Sequence, residues 1–252
     1  MLSRVMGLAR DVVFARVIGA DAFADVFFVA FKIPNFFRRL FAEGAFAQAF
    51  VPILGEYREK GSQAAVKELV NRVAGTLGIT LLGVTLVIVV ASPVMAAIFA
   101  PKWFFDEPEK FAATADMLRI TFPYLLFISM TGVAGGILNS YDRFAVPAFT
   151  PLLLNVTLIT AALVAAPLFD QPAFALAWGV FTAGVVQLMF QLPFLQRIHM
   201  LPRPKVDWQD SGVRRILALM GPAIFGVSVS QINLLLDTML ATFLPTGSVS
   251  WL

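Results

Sequence analysis

Five stretches of the chain carry no Asp, Glu, Lys or Arg: residues 73–100, 120–141, 144–169, 171–196 and 216–236. Each is at least 21 residues long. A helix of that length, rising about 1.5 Å per residue, crosses about 30 Å of hydrocarbon. The windows are far longer than barrel strands and lack sustained alternation, so the pattern predicts helices. Pro93, Pro123, Pro151, Pro193 and Pro222 lie within or near them, which membrane helices tolerate where neighbours satisfy the freed backbone groups. Two earlier segments are apolar but interrupted by charge. Residues 2–19 read as a marginal first helix, and residues 22–55 as a second, much longer one. Unbroken, the second would be about 50 Å long, beyond the thickness of the hydrocarbon, so it must tilt, break or re-enter. Pro34 and the Glu43-Gly44 pair are the expected break points. The fold class is therefore an all-α polytopic membrane protein of about seven transmembrane helices.

Composition agrees. The 252 residues are 59% hydrophobic and 14% charged, with a mean hydropathy of +0.81, whereas a soluble domain is nearer a quarter charged. With no cysteine, disulfides and thiolate metal sites are excluded. A net charge of +3 is too small to suggest nucleic acid as a partner. Arg4, Arg10, Asp11 and Arg16 interrupt the N-terminal apolar run, and no cleavable signal peptide is evident.

Where the charges fall matters more than their sum. Seven spans put loops 56–72, 142–143 and 197–215 on one side, and these hold ten Lys and Arg residues. The opposite loops hold Lys102 and Lys110 among six acids. Because basic loops stay inside, the ten-residue side is expected to be cytoplasmic, with the N-terminus inside and the C-terminus outside.

Charges at membrane depth cost roughly 2.5–3.5 kcal/mol each on insertion scales and mark functional candidates. Arg10 lies too far from either end of the first helix to snorkel easily, so protein or water must solvate it. Arg4 and Asp11 are seven apart, close to one face, where an ion pair is possible. Arg4, Arg10 and Arg16 are spaced by six, about 120° apart on an ideal helix. They share a cavity only if the helix bends, as Gly7 and Gly19 would permit. On the second segment Asp25, Lys32 and Arg39 are seven apart and Glu43 follows by four, one polar stripe if the helix survives Pro34. An arginine excess of this kind predicts a wet cavity of positive potential. Guanidinium forks suit phosphate or pyrophosphate oxygens. The alternative is that Arg4, Arg38 and Arg39 reach the headgroups while Asp11 and Asp25 neutralise their neighbours.

Asp237 stands among apolar turns, where it could bind a cation or proton or bond to Asn233. Arg16 and Arg119 read as interfacial, and His199 as a loop residue. One histidine and no cysteine assemble no zinc site, Walker loop or nucleophile–base set, so no enzyme is expected. Gly132, Gly135 and Gly136 suggest close helix packing.

The runs Ser3–Ala20 (SRVMGLARDVVFARVIGA) and Ala24–Leu54, with its RRLFAEGAF element, resemble the lipid II flippase MurJ (MviN) family. So do Ile120–Leu126, Ile137–Phe149, Met220–Ile232 and Gly247–Trp251. The family sits in the multidrug/oligosaccharidyl-lipid/polysaccharide exporter superfamily, whose members have two six-helix lobes. The resemblance implies a bacterial inner-membrane protein that moves lipid II, the undecaprenyl-pyrophosphate-linked peptidoglycan precursor, outward by alternating access. It implies substrate contacts from Arg4, Arg10, Arg38 and Arg39, with Asp11, Asp25 and Glu43 positioning them or forming gates. It also implies a possible sodium ion at Asp237, with no other cofactor. Residues 1–215 would form the N-terminal lobe and 216–252 the seventh helix and the start of the second. The partners expected are lipid II, membrane lipids and that second lobe, without which no flipping is expected. A polysaccharide or drug exporter, a polyprenyl-pyrophosphate enzyme and a non-transporting scaffold of cell-wall synthesis are the alternatives.

Overall fold

A computed structural model describes residues 2–19, 22–39 and 45–251. Every regular element among them is helical: α1 (Leu2–Val17), α2 (Ala22–Arg38), α3 (Phe46–Lys60), α4 (Gln63–Val90), α5 (Ser92–Phe99), α6 (Pro101–Asp106), α7 (Pro108–Thr121), α8 (Tyr124–Ser140), α9 (Ala145–Thr160), α10 (Pro172–Arg197), α11 (Ser211–Ala241) and α12 (Ser248–Trp251). Local chemistry sets many of the ends. Proline opens α6, α7 and α10, where its missing N–H costs nothing. Ser62 caps α4 by accepting from the Ala65 amide at 3.2 Å, and Asp210 caps α11 by accepting from that of Val213 at 3.0 Å. Gly19, at φ +68°, closes α1 in the left-handed region that glycine enters freely.

Among the described residues, four helical segments are long and apolar enough to cross a membrane: Gln63–Val90, Pro108–Ser140, Ala145–Leu168 and Pro172–Arg197. The bent α11 makes a fifth. The expected count of seven is therefore not recovered on length and composition, because α1 and α2 are only 16 and 17 residues long and carry charge. In the long second segment α2 runs through Pro34 to Arg38 and α3 begins at Phe46; the expected Glu43-Gly44 break point lies outside the described residues. Loop 56–72 is also mostly helix, since α3 reaches Lys60 and α4 begins at Gln63. α4, α7 and α11 each begin before the charge-free window that predicts them.

α10 lies at the centre, packed on α8 and α9, while α2 packs on α7, α1 on α9, and α3 on α8 and α11. Small residues permit these approaches. A Cβ on Gly184 would come within 2.9 Å of the Tyr124 ring, and one on Gly136 within 3.2 Å of Phe50, as expected for helices packed through glycine. Outside this core, Val87, Val90, Val164 and Leu168 are 64–81% exposed. That is an apolar surface suited to lipid rather than water.

The segment between α10 and α11 is fastened along α4. Lys67 donates to the carbonyls of His199 and Leu201 (2.9 and 2.7 Å), and Asn71 accepts at its side chain from the Arg203 amide (2.7 Å) and at its carbonyl from that of Lys205 (3.0 Å). Thr76 accepts from the Asp207 amide at 3.1 Å. Arg72 pairs with Asp210, the cap of α11. The strap lies so close that a Cβ on Gly75 would stand 2.2 Å from the Lys205 carbonyl oxygen.

Candidate functional site

The charges of α2 and α11 meet in a cleft of about 250 Å³ lined by Lys32, Asn35, Phe36, Arg39, Gln231, Leu235 and Asp237. Because α2 survives Pro34, the seven-residue spacing brings Lys32 and Arg39 to one face, two turns apart. Arg39 donates from Nη1 to Gln231 Oε1 at 3.3 Å. Asp237 is exposed into the cleft and attracts the Lys32 ammonium, with Asp25 a weaker contributor. Arg38 holds Asn35 Oδ1 from Nε at 2.8 Å and does not line this cleft among the described residues.

A second, larger recess of about 650 Å³ adjoins the first through Lys32, which lines both. Arg10, Asp11, Phe14, Phe28 and Ser250 are among its other walls. Arg10 donates from Nε and Nη2 to Asp11 Oδ1 (3.0 and 2.7 Å) and from Nη1 to Asn155 Oδ1 on α9 at 3.2 Å. Its guanidinium also stands 5.8 Å from the centre of the Phe14 ring. The side chain is thus held against protein, with only 25% of its surface exposed. Asp11 pairs with its neighbour Arg10 rather than with Arg4, which is exposed two turns away.

Asp25 is 2% exposed and lines neither recess. Its Oδ2 accepts from the Gly247 amide at 2.6 Å, and its Oδ1 accepts from the Ser250 amide and hydroxyl at 2.8 and 2.6 Å. The carboxylate therefore pins the α12 turn against α2. Lys110 supports the same segment by donating to Thr246 Oγ1 at 3.1 Å. Glu43 lies outside the described residues. Asn155, Gln231 and Asn35 escape sequence reasoning because they are uncharged. Their one signal is amide side chains recurring within apolar runs.

Asp237, where a sodium ion is expected from the resemblance, lies in this cleft. Asp237 supplies its one carboxylate among the described residues, and two cationic side chains share the space. No group of three or more His, Cys, Asp or Glu residues suited to a metal is present among the described residues.

Apolar helices of this length define a multi-pass membrane protein, here with a cleft lined by two basic side chains and one acid. The family model for lipid II flippase MurJ matches residues 14–252, and the chain belongs to that family. It is 51% identical over its whole length to the probable lipid II flippase MurJ of Haemophilus influenzae, of which it covers 51%. For the corresponding protein of Vibrio cholerae the identity is 52% and the share covered is 49%. The lipid II flippase MurJ of Burkholderia cenocepacia is 44% identical, again with 49% covered. A solved structure, "Lipid II flippase MurJ, inward closed conformation", superposes with a TM-score of 0.80 at 26% identity, over 99% of this chain and 50% of that one. The chain spans about half the length of the curated relatives it matches.

Proposed function

We propose that the chain works as one lobe of a flippase that carries a polyprenyl-pyrophosphate-linked peptidoglycan precursor from the inner to the outer leaflet of the bacterial inner membrane. The observation that supports this best is the cleft shared by α2 and α11. There Arg39 and Lys32 present fixed positive charge between the apolar walls of Phe36 and Leu235. Low-dielectric walls strengthen charge-assisted bonds to phosphate oxygens, and a guanidinium fork takes two at once. Arg10 provides a second guanidinium in the adjoining recess, which Lys32 also lines. The excess of Lys and Arg in one set of loops supports an N-terminus in the cytoplasm. Alternating access requires a second lobe to rock against this one, and the half of the relatives' length beyond this chain would supply it. Asp237 serves in this reading as the counter-ion of Lys32.

The experiment joins the chain to the second half of a relative and asks whether lipid-linked precursor reaches the outer leaflet. Arg39→Ala and Arg10→Ala are each expected to lower that transport at least about tenfold, the loss of one charged hydrogen-bond set. Unchanged transport at equal protein level rejects the phosphate clamp.

A further inference from the structure

Away from the central cleft, a recess of about 300 Å³ opens on the basic face, lined by Asp142, Arg143, Phe144, Ala145, Val146, Phe194, Arg197 and Ile198. Two arginines from different helix ends converge there: Arg143 just before α9 and Arg197 at the end of α10. Both are exposed, and neither has a carboxylate partner among the described residues. Arg197 instead lies over the Phe194 ring, 5.5 Å from its centre. The Val146 amide at the start of α9 donates to the Arg143 carbonyl at 3.4 Å and Pro147 has no N–H, so the two guanidinium groups carry the positive charge of the recess. A phosphodiester satisfies both.

Two further features narrow the ligand. Phe194, Phe190 and Phe149 follow one another away from the recess, along α10 and onto α9, with ring centres 5.4 and 5.9 Å apart. They form an aromatic wall on which an acyl chain can lie. Asp142, held at φ +60°, puts a carboxylate in the recess beside the arginines. A carboxylate opposes a purely anionic headgroup but attracts a cation placed two carbons from the phosphate. We propose that this recess binds a glycerophospholipid whose headgroup carries an ammonium, phosphatidylethanolamine being the simplest. The phosphate sits between Arg143 and Arg197, the ammonium on Asp142, and an acyl chain along Phe194, Phe190 and Phe149.

The assignment makes a distinction that general attraction of basic loops to acidic lipid does not. General attraction favours phosphatidylglycerol; this site favours phosphatidylethanolamine. The test counts lipids retained by the purified chain in native mass spectrometry, with equal amounts of the two lipids in the micelle. The chain is expected to retain phosphatidylethanolamine about fivefold over phosphatidylglycerol, and R143A/R197A to lose about fivefold of that retention. D142N is expected to keep lipid binding but lose the preference, while R143K/R197K, which keeps the charge without the fork, retains an intermediate amount. Equal retention of both lipids by the unaltered chain, or undiminished phosphatidylethanolamine on R143A/R197A of unchanged melting temperature, overturns the proposal.

Discussion

Ser250 gives both its amide and its hydroxyl to one carboxylate oxygen of Asp25, at 2.8 and 2.6 Å, across 225 positions of sequence. With the Gly247 amide on the other oxygen, a single buried side chain on α2 secures the turn that follows α11. Removing it leaves two amides and a hydroxyl without a partner, and hydrogen bonds to charged groups contribute about 1.5–3 kcal/mol each. Asp25→Ala is expected to speed hydrogen exchange at Gly247–Ser250 by at least about tenfold. Asp25→Asn, with one acceptor left, should fall between. Exchange at the α4 strap, measured in the same sample, should not move.

Arg10 is expected to resist conservative replacement. Its fork reaches Asp11 and Asn155 together, and an ammonium cannot span both with that planar geometry. In the joined transporter, Arg10→Lys should lose most of the activity that Arg10→Ala loses. Asn155→Leu, which frees one arm of the guanidinium, should cost less than either. Precursor exposure on the outer leaflet gives the comparison.

Lys32 and Asp237 should behave as a pair. Lys32→Met leaves a carboxylate beside Arg39 alone, and Asp237→Asn leaves two cations unopposed in one cleft. In thermal melts each single change is expected to destabilise by about 1–2 kcal/mol, with the double change costing less than their sum. An additive double change, together with transport that depends on sodium and is abolished by Asp237→Asn, would reassign Asp237 to a coupling cation.

Strap and helix should tolerate no side chain at Gly75. Any Cβ there overlaps the Lys205 backbone, and overpacking of this kind costs typically 1–3 kcal/mol. Gly75→Ala is expected to lower the melting temperature and open the segment from His199 to Asp210 to protease. If the melt and the cleavage pattern are unchanged, α4 and the strap are not held as described.

Glu56 on α3 accepts from Arg215 on α11 at 2.6 Å. That bond, with the charges of Arg215 and Lys60, holds its carboxyl below the ordinary carboxylate value. Its folded pKa is depressed, so the stabilisation is complete above the unfolded value of about 4.3 and fades as pH falls through the lower folded value. The pair is exposed, so the effect is small and screened by salt. The difference in melting temperature between the chain and Glu56→Gln should be visible near neutral pH and vanish under acid conditions.

Much of the frame is legible in the linear pattern, since a run without charge leaves a helix no water-facing side. The polar stripe of α2 is legible too, because a seven-residue spacing fixes Lys32 and Arg39 to one face whatever surrounds them. Side-chain partners are not. Asp25 and Lys32 share that spacing, yet one is sealed under α12 and the other lines an open cleft. What separates them is the approach of residues 247–250, more than two hundred positions away. The pairing of Arg10 with Asn155 is hidden for the same reason. An amide in an apolar run announces no charge, and the register of α1 on α9 is decided by packing.

Lys32 borders both recesses, and its one ammonium can lean towards only one of them at a time. The two compartments are therefore not independent sites. An anion settling beside Gln231 draws off the positive charge that a second anion beside Asp11 would need, so small phosphates titrated into the chain should saturate near one equivalent. A long ligand bridging both spaces would meet no such conflict, so the pair of recesses would select the proposed cargo by length as much as by charge.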